Sequence, residues 1–155
     1  MATLLLALAI ISTGLYAGFM LIFLTGIMPG LARLPDEQFV PVMSRLNETV
    51  PRGVFLVVFA GIVVFPGAAL AIPVDGRTTT QFWLMCAGLV CAVLNHLVTM
   101  GGNIPLNDAL AAAESAPAAP AAETRAAFEP GWNRLHLVRT LFTLASFVLL
   151  VAAAV

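Results

Sequence analysis

Residues 2–28, ATLLLALAIISTGLYAGFMLIFLTGIM, contain no charged side chain. A bilayer hydrocarbon core about 30 Å thick needs about 20 helical residues, so this run predicts a membrane-spanning helix. It has no basic start, and it is longer than the apolar segment of a signal peptide. We therefore interpret it as a true span. Working outward from it, similar apolar runs at residues 53–72, 82–100 and 135–155 predict three more spans.

The composition supports a membrane protein. The chain is 61% hydrophobic and 10% charged, with a mean hydropathy of +1.01, whereas soluble domains carry about 25% charged residues. We predict an all-α fold: an antiparallel bundle of four transmembrane helices that forms one integral membrane domain over residues 1–155. Residues 109–122, mostly Ala with two prolines, predict a linker within loop three, part helical and part flexible.

The first loop contains an amphipathic segment, residues 36–50. Phe39, Met43, Leu46 and Val50 recur at helical steps. This pattern predicts a helix that lies at the membrane interface, against one end of the bundle. Asn47 follows Met43 by one helical turn, so it points toward the same side.

The arginines predict the orientation. Loops one and three share one side of a four-span bundle, and that side carries six of the seven, five in the loops and Arg139 in span four, whereas Arg77 alone lies on the other side. The positive-inside rule then places loops one and three in the cytoplasm and both termini outside, in a bacterial inner (plasma) membrane. With a net charge of −1 the chain has no basic patch for nucleic acid. The expected partner is the lipid bilayer, and the sequence leaves a homo-oligomer open.

Two polar stretches interrupt the apolar runs: residues 95–107, NHLVTMGGNIPLN, and residues 132–140, WNRLHLVRT. Each contains one of the two histidines, His96 and His136. Spans three and four run antiparallel, so both rings are expected at a similar depth, and polar groups inside a membrane usually mark function. We expect the two histidines to share one site, although a lone histidine in a span is often only a packing hydrogen bond.

Helical spacing extends this site. The triples at i, i+4 and i+7 are His96, Met100, Asn103 and Trp132, His136, Arg139. A buried guanidinium needs an anionic or carbonyl partner, and Glu129 or Asp108 is a candidate. Asn103 and Asn107 flank Pro105, a pattern that also suits a plain turn. In span one, Tyr16 and Phe19 suit either an aromatic wall for a ligand or ordinary packing.

The chain resembles the anthrone oxygenase-like family of membrane proteins. The resemblance covers most of the chain. The matching positions are Met28-Pro29-Gly30-Leu31, Met43, Asn47, Asn103-x-Pro105-Leu106-Asn107, Trp132 and Arg139-Thr140. The resemblance implies a four-helix membrane bundle, with polar positions at Asn47, Asn103, Asn107, Trp132 and Arg139. Some fungal members of that family oxidise anthrones to anthraquinones, so the resemblance also implies an oxidation of this kind.

The favoured hypothesis is a membrane oxygenase that acts on a small lipophilic aromatic substrate and dioxygen without a required cofactor. His136 or His96 would deprotonate a C–H next to a carbonyl. Arg139, Asn103 and Asn107 would stabilise the enolate oxygen. Trp132, Asn47, Tyr16 and Phe19 would hold the ring.

Two alternatives stay open. In the first, the protein is an oxidoreductase that binds haem b, with His96, His136 or both as axial ligands. In the second, it is a non-enzymatic membrane subunit, in which these side chains only pack. The spans contain no carboxylates that would complete a zinc or di-iron site with two histidines.

Overall fold

The computed structural model of the chain describes residues 1–115 and 119–155, and these residues form an all-α bundle. Four helical stretches are long and apolar enough to cross a membrane: Ala2–Leu31, Val54–Ala71, Thr79–Ser115 and Ala121–Ala152. The predicted four-helix membrane bundle is therefore confirmed. Pro117 of the predicted linker lies outside the described residues, and the linker boundaries stay a prediction.

The helices within these stretches are interrupted by two π turns. The elements are α1 (Ala2–Ile22), a first π turn (Phe23–Ile27), α2 (Met28–Leu31), α3 (Asp36–Thr49), α4 (Val54–Ala71), α5 (Thr79–Val98), a second π turn (Thr99–Asn103), α6 (Ile104–Ser115) and α7 (Ala121–Ala152). A π turn contains one extra residue per turn and is often found at functional sites.

The bundle is closed because each long helix contacts two neighbours. Helix α1 packs against α4 and α7, and α5 packs against the same two helices. Small residues allow close approach: a Cβ on Gly61 would lie 2.9 Å from the Ser12 hydroxyl, and one on Gly88 would lie 3.1 Å from Leu150. The Ser146 hydroxyl also donates to the Gly88 carbonyl at 2.8 Å, which joins α5 to α7.

Two predicted breaks are wrong, because each proline lies in the first turn of a helix, where it is tolerated. The first span does not end at Met28 but continues to Leu31 through α2, in which Pro29 occupies the first turn. Asn103 to Asn107 is not a turn, since Pro105 falls in the first turn of α6. Pro130 lies inside α7, which continues from Ala121 to Ala152 as one 32-residue helix.

The amphipathic helix of loop one is observed as α3, and it lies against the end of the bundle. Phe39 and Met43 are buried in a cluster with Phe128 and Trp132 of α7. Arg125 of α7 holds the start of this loop, since it donates to the carbonyls of Leu34 (2.9 Å) and Ala32 (3.1 Å). It also pairs with Asp36 at 2.9 Å. Helix α3 is therefore fixed over one end of the bundle.

The opposite end contains both termini and the short turn between α4 and α5. Arg77 donates to the carbonyls of Ala69 (2.7 Å), Ile72 (3.2 Å) and Leu70 (3.3 Å), which would otherwise lack partners at the end of α4. Thr78 and Gln81 form a capping box that starts α5, with both hydrogen bonds at 3.1 Å. The arginine and the cap thus satisfy two helix ends.

Candidate functional site

A cavity of about 300 Å³ lies beneath α3, at the end of the bundle that Arg125 fixes. Its apolar wall includes the aromatic rings of Phe23, Phe55, Phe59 and Trp132. Its polar lining residues are Asn47, Thr99, Asn103, Asn107, Asp108 and Arg139. An apolar cavity with a few polar groups is the usual form of a small-molecule site.

Arg139 is the charged group of the cavity wall that lies deepest in the protein. It is 8% exposed and makes no salt bridge with any residue that the structure describes. Its Nε and Nη2 atoms lie 3.1 and 3.0 Å from Nδ1 of His136. Arginine can only donate, so Nδ1 of His136 accepts. A buried cation with no carboxylate partner favours binding of an anion or a carbonyl oxygen.

His136 is fully buried behind the cavity wall and does not line the cavity. Its Nε2 lies 3.0 Å from the carbonyl oxygen of Met20 in α1, which must accept. The ring therefore carries its proton on Nε2 and is neutral, since Nδ1 accepts from Arg139. Both ring nitrogens are engaged, so the imidazole has no free nitrogen for a substrate or a metal in this arrangement.

Trp132 joins this group from one helical turn earlier in α7. Its ring stacks on His136 with centroids 4.8 Å apart, and Cζ of Arg139 lies 5.3 Å from its centre. Its Nε1 donates to Oδ1 of Asn107 at 2.9 Å. The spacing of Trp132, His136 and Arg139 thus predicted correctly that these three side chains share one face.

The other predicted face, His96 with Met100 and Asn103, is wrong. Met100 is 61% exposed, whereas Asn95, Thr99 and Asn103 are buried. The second π turn adds a residue to the turn that begins at Thr99, which brings Asn103 to the inner side with Asn95 and Thr99. A pattern of 3.6 residues per turn could not show this change.

Two buried amide atoms of the cavity residues lack partners. Asn103 uses Nδ2 to donate to the Trp132 carbonyl at 3.3 Å, and its Oδ1 has no hydrogen-bond partner among residues 1–115 and 119–155. Nδ2 of Asn47 in α3 also has no hydrogen-bond partner among these described residues. Buried polar groups are nearly always paired, so an unpaired acceptor and an unpaired donor at one cavity indicate a ligand that carries both.

His96 lies in different surroundings from His136. Its Nδ1 donates to the Ala92 carbonyl at 3.0 Å, and its ring stacks on Phe59 with centroids 3.9 Å apart. It does not line the cavity. The expectation that the two histidines share one site is corrected: each ring packs on a different aromatic side chain, Phe59 or Trp132.

Tyr16 and Phe19 lie behind the cavity wall and do not line it. Tyr16 packs on Phe55 and Phe59 with ring centroids 5.7 and 5.6 Å apart, and Phe19 contacts Phe55 edge-on at 5.5 Å. These two residues therefore position the aromatic wall. The Tyr16 hydroxyl has no hydrogen-bond partner within the described chain.

The acidic residues also differ from expectation. Glu129 pairs with Arg125 at 2.6 Å, so it is not the partner of Arg139. Asp108 lines the cavity and is the one carboxylate in its described lining, but it forms no salt bridge with Arg139. The sequence suggested Asp108 only as an ion-pair partner. Asp108 directly follows Asn107, and this position next to a predicted site residue could have indicated that it lines the same cavity.

These features define a membrane helical bundle with a partly polar, aromatic-walled cavity at one end. Residues 39–149 match the family model described as Anthrone oxygenase. The match covers most of the chain, so the chain belongs to the anthrone oxygenase family, as its resemblance predicted. No curated protein and no solved structure matches the chain.

Proposed function

We propose that the protein is a membrane-embedded oxygenase that converts a small lipophilic, anthrone-like ketone and dioxygen into the corresponding quinone and water. The observation that carries the proposal is the cavity itself. It combines aromatic walls with a buried guanidinium at Arg139 that has no carboxylate partner among the described residues, and with two amide atoms, at Asn47 and Asn103, that have no hydrogen-bond partner there. Family membership supports the same class of reaction.

The chemistry that we propose needs a base and an oxyanion site. The base removes a proton from the CH₂ group that is conjugated with the ketone, and the negative charge moves to the ketone oxygen. Arg139 and the Nδ2 group of Asn47 would stabilise that oxygen, because donors that are already in place cost no reorganisation. The electron-rich carbon then reduces dioxygen and forms a peroxide. Loss of water from the peroxide gives the second carbonyl, so one oxygen atom is retained and the other leaves as water.

Asp108 replaces the histidines as the proposed base. Neither imidazole lines the cavity, and both nitrogens of His136 are engaged, whereas Asp108, an exposed residue of α6, belongs to the lining. A general base has to reach the proton that it removes, so position decides the assignment before basicity does. Trp132 and the phenylalanine rings would hold the planar substrate by stacking.

The test is anthrone oxidation by the detergent-purified protein, measured as oxygen uptake and anthraquinone formation above a blank of the same detergent. We expect Arg139→Lys to lower kcat/KM by about 100-fold, because a lysine cannot present the same donor pair to the oxyanion. The matched control is Arg134→Lys, an exposed arginine of the same helix that does not line the cavity. Equal rates for both variants would contradict the proposed site.

The haem alternative makes a separate prediction. A haem would need an imidazole nitrogen facing a cavity, whereas His136 uses both nitrogens and His96 has one ring face against Phe59. The absorption spectrum of the purified protein distinguishes the two proposals. A Soret band that disappears in His96→Ala or His136→Ala would favour haem over the cofactor-free reaction.

A further inference from the structure

His136 is a buried ionisable residue that the proposed reaction does not use directly. We infer that His136 is a positioning residue: its neutral imidazole holds the Arg139 guanidinium at the cavity wall by accepting two of its N–H groups. The inference rests on the proposed function, because the held guanidinium is the group that would stabilise the enolate oxygen. It differs from the role of base that the sequence suggested.

The first step of the argument is the hydrogen-bond geometry. Nε and Nη2 of Arg139 converge on the single lone pair of Nδ1, at 3.1 and 3.0 Å. A guanidinium has five N–H donors in a rigid plane. Fixing two of them at one edge also fixes the plane, and the remaining donors are left for the cavity that Arg139 lines.

The second step is the tautomer. Nδ1 can accept only if the proton is on Nε2, and a neighbouring helix provides the partner for that proton. The Met20 carbonyl of α1, just before the first π turn, accepts from Nε2 at 3.0 Å. The orientation of Arg139 in α7 is therefore set through His136 by the backbone of α1, in the way that second partners fix the ligands of a metal.

A different role is also compatible with burial. The ring stacks on Trp132 at 4.8 Å and lies 6.1 Å from the ring of Phe23, so His136 could matter for packing alone. The two roles predict different rankings of variants. Hydrogen bonding depends on which nitrogen is replaced, whereas packing depends on the size and flatness of the side chain.

Three substitutions separate the roles. His136→Asn keeps an oxygen at the place of Nδ1 and can still accept from Arg139. His136→Gln keeps a polar group at the place of Nε2, and this group can donate to the Met20 carbonyl. It does not replace Nδ1 as the acceptor for Arg139. His136→Phe keeps the stacked ring and removes both hydrogen bonds. We expect kcat/KM for anthrone to stay within about tenfold of wild type in His136→Asn and to fall by about 100-fold in the other two variants, because small misplacements of a positioned group have effects of that size.

A second measurement needs no turnover. Nitrogen-15 NMR of the wild-type protein in detergent, assigned with His136→Asn and Arg139→Lys, should show a protonated Nε2 and an unprotonated Nδ1 for His136. The Nε–H signal of Arg139 should be protected from exchange in the wild type and in His136→Asn. It should lose protection in His136→Gln and His136→Phe.

Either of two results would overturn the inference: a wild-type imidazole protonated on Nδ1, or an activity ranking in which His136→Phe exceeds His136→Asn. Absence of anthrone turnover in the wild type would instead contradict the proposed function. In that case the NMR spectra alone would decide the inference, since they require no substrate and the tautomer measurement requires no variant to be active.

Discussion

The two ends of the bundle each use a partly or fully buried arginine, in opposite ways. At the end with the termini, Arg77 donates to three carbonyls that close α4, and a capping box starts α5. At the other end, Arg139 is held by His136 and lines a cavity with no salt-bridge partner among the described residues. At the first end, hydrogen bonds within the chain satisfy two helix ends. At the second end, buried donor and acceptor atoms of Asn47 and Asn103 have no partner among the described residues. This contrast supports the proposal that the substrate binds at the second end.

Replacing one aspartate at each end of the bundle tests the difference between the two ends with the largest expected effect. Asp108→Asn should lower kcat for anthrone oxidation by about 10² to 10⁴-fold, because it removes the proposed general base at the cavity. Asp75→Asn, in the exposed turn at the other end, should leave the rate unchanged. Oxygen uptake in the same detergent measures both. A wild-type rate in Asp108→Asn would assign the base elsewhere.

The two tryptophans provide a second, smaller test. Trp132 is 2% exposed and donates to Asn107 at the cavity, whereas Trp83 is 63% exposed near the start of α5. Trp132→Phe should lower the free energy of unfolding by about 1–2 kcal/mol, since Asn107 loses its donor. It should also reduce the stabilisation of the protein by added anthraquinone.

The control is Trp83→Phe, which should change the free energy of unfolding by no more than about 0.5 kcal/mol, as for most surface substitutions. Thermal unfolding of the detergent-solubilised protein, with and without anthraquinone, measures both effects. Full stabilisation of Trp132→Phe by anthraquinone would show that the ligand does not use this wall.

The smallest effect on activity is expected at the end that contains the termini. Arg77→Gln should lower the free energy of unfolding by about 1–2 kcal/mol, because three carbonyls lose a charged donor. It should leave kcat/KM unchanged. The matched control is Arg52→Gln, an exposed arginine next to α4 at the other end of the helix. A change in kcat/KM for Arg77→Gln would mean that the two ends are coupled.

Much of this architecture could be predicted from the sequence. Long uncharged runs fix the four spans, because hydrocarbon allows few alternatives to an apolar helix. The regular period of α3 and α7 also placed Phe39, Met43, Trp132, His136 and Arg139 on their inner faces. These predictions succeeded where the helix keeps 3.6 residues per turn.

The site was less predictable, since it depends on irregular backbone. The second π turn brings Asn103 inward and leaves Met100 exposed, and composition does not reveal where such a turn begins. His96 packs on Phe59, a residue of another span, so its surroundings come from tertiary packing. The position of Asp108 likewise follows from α6, which begins where residues 103–107 also suited a plain turn.

Helix α3 contributes Leu46 and Asn47 to the cavity, and Val50 follows directly after it, although α3 is not one of the four spans. The segment that covers the cavity is thus separate from the segments that insert into the bilayer. Changes of side chain in α3 can reshape the cavity without altering how the protein enters the membrane.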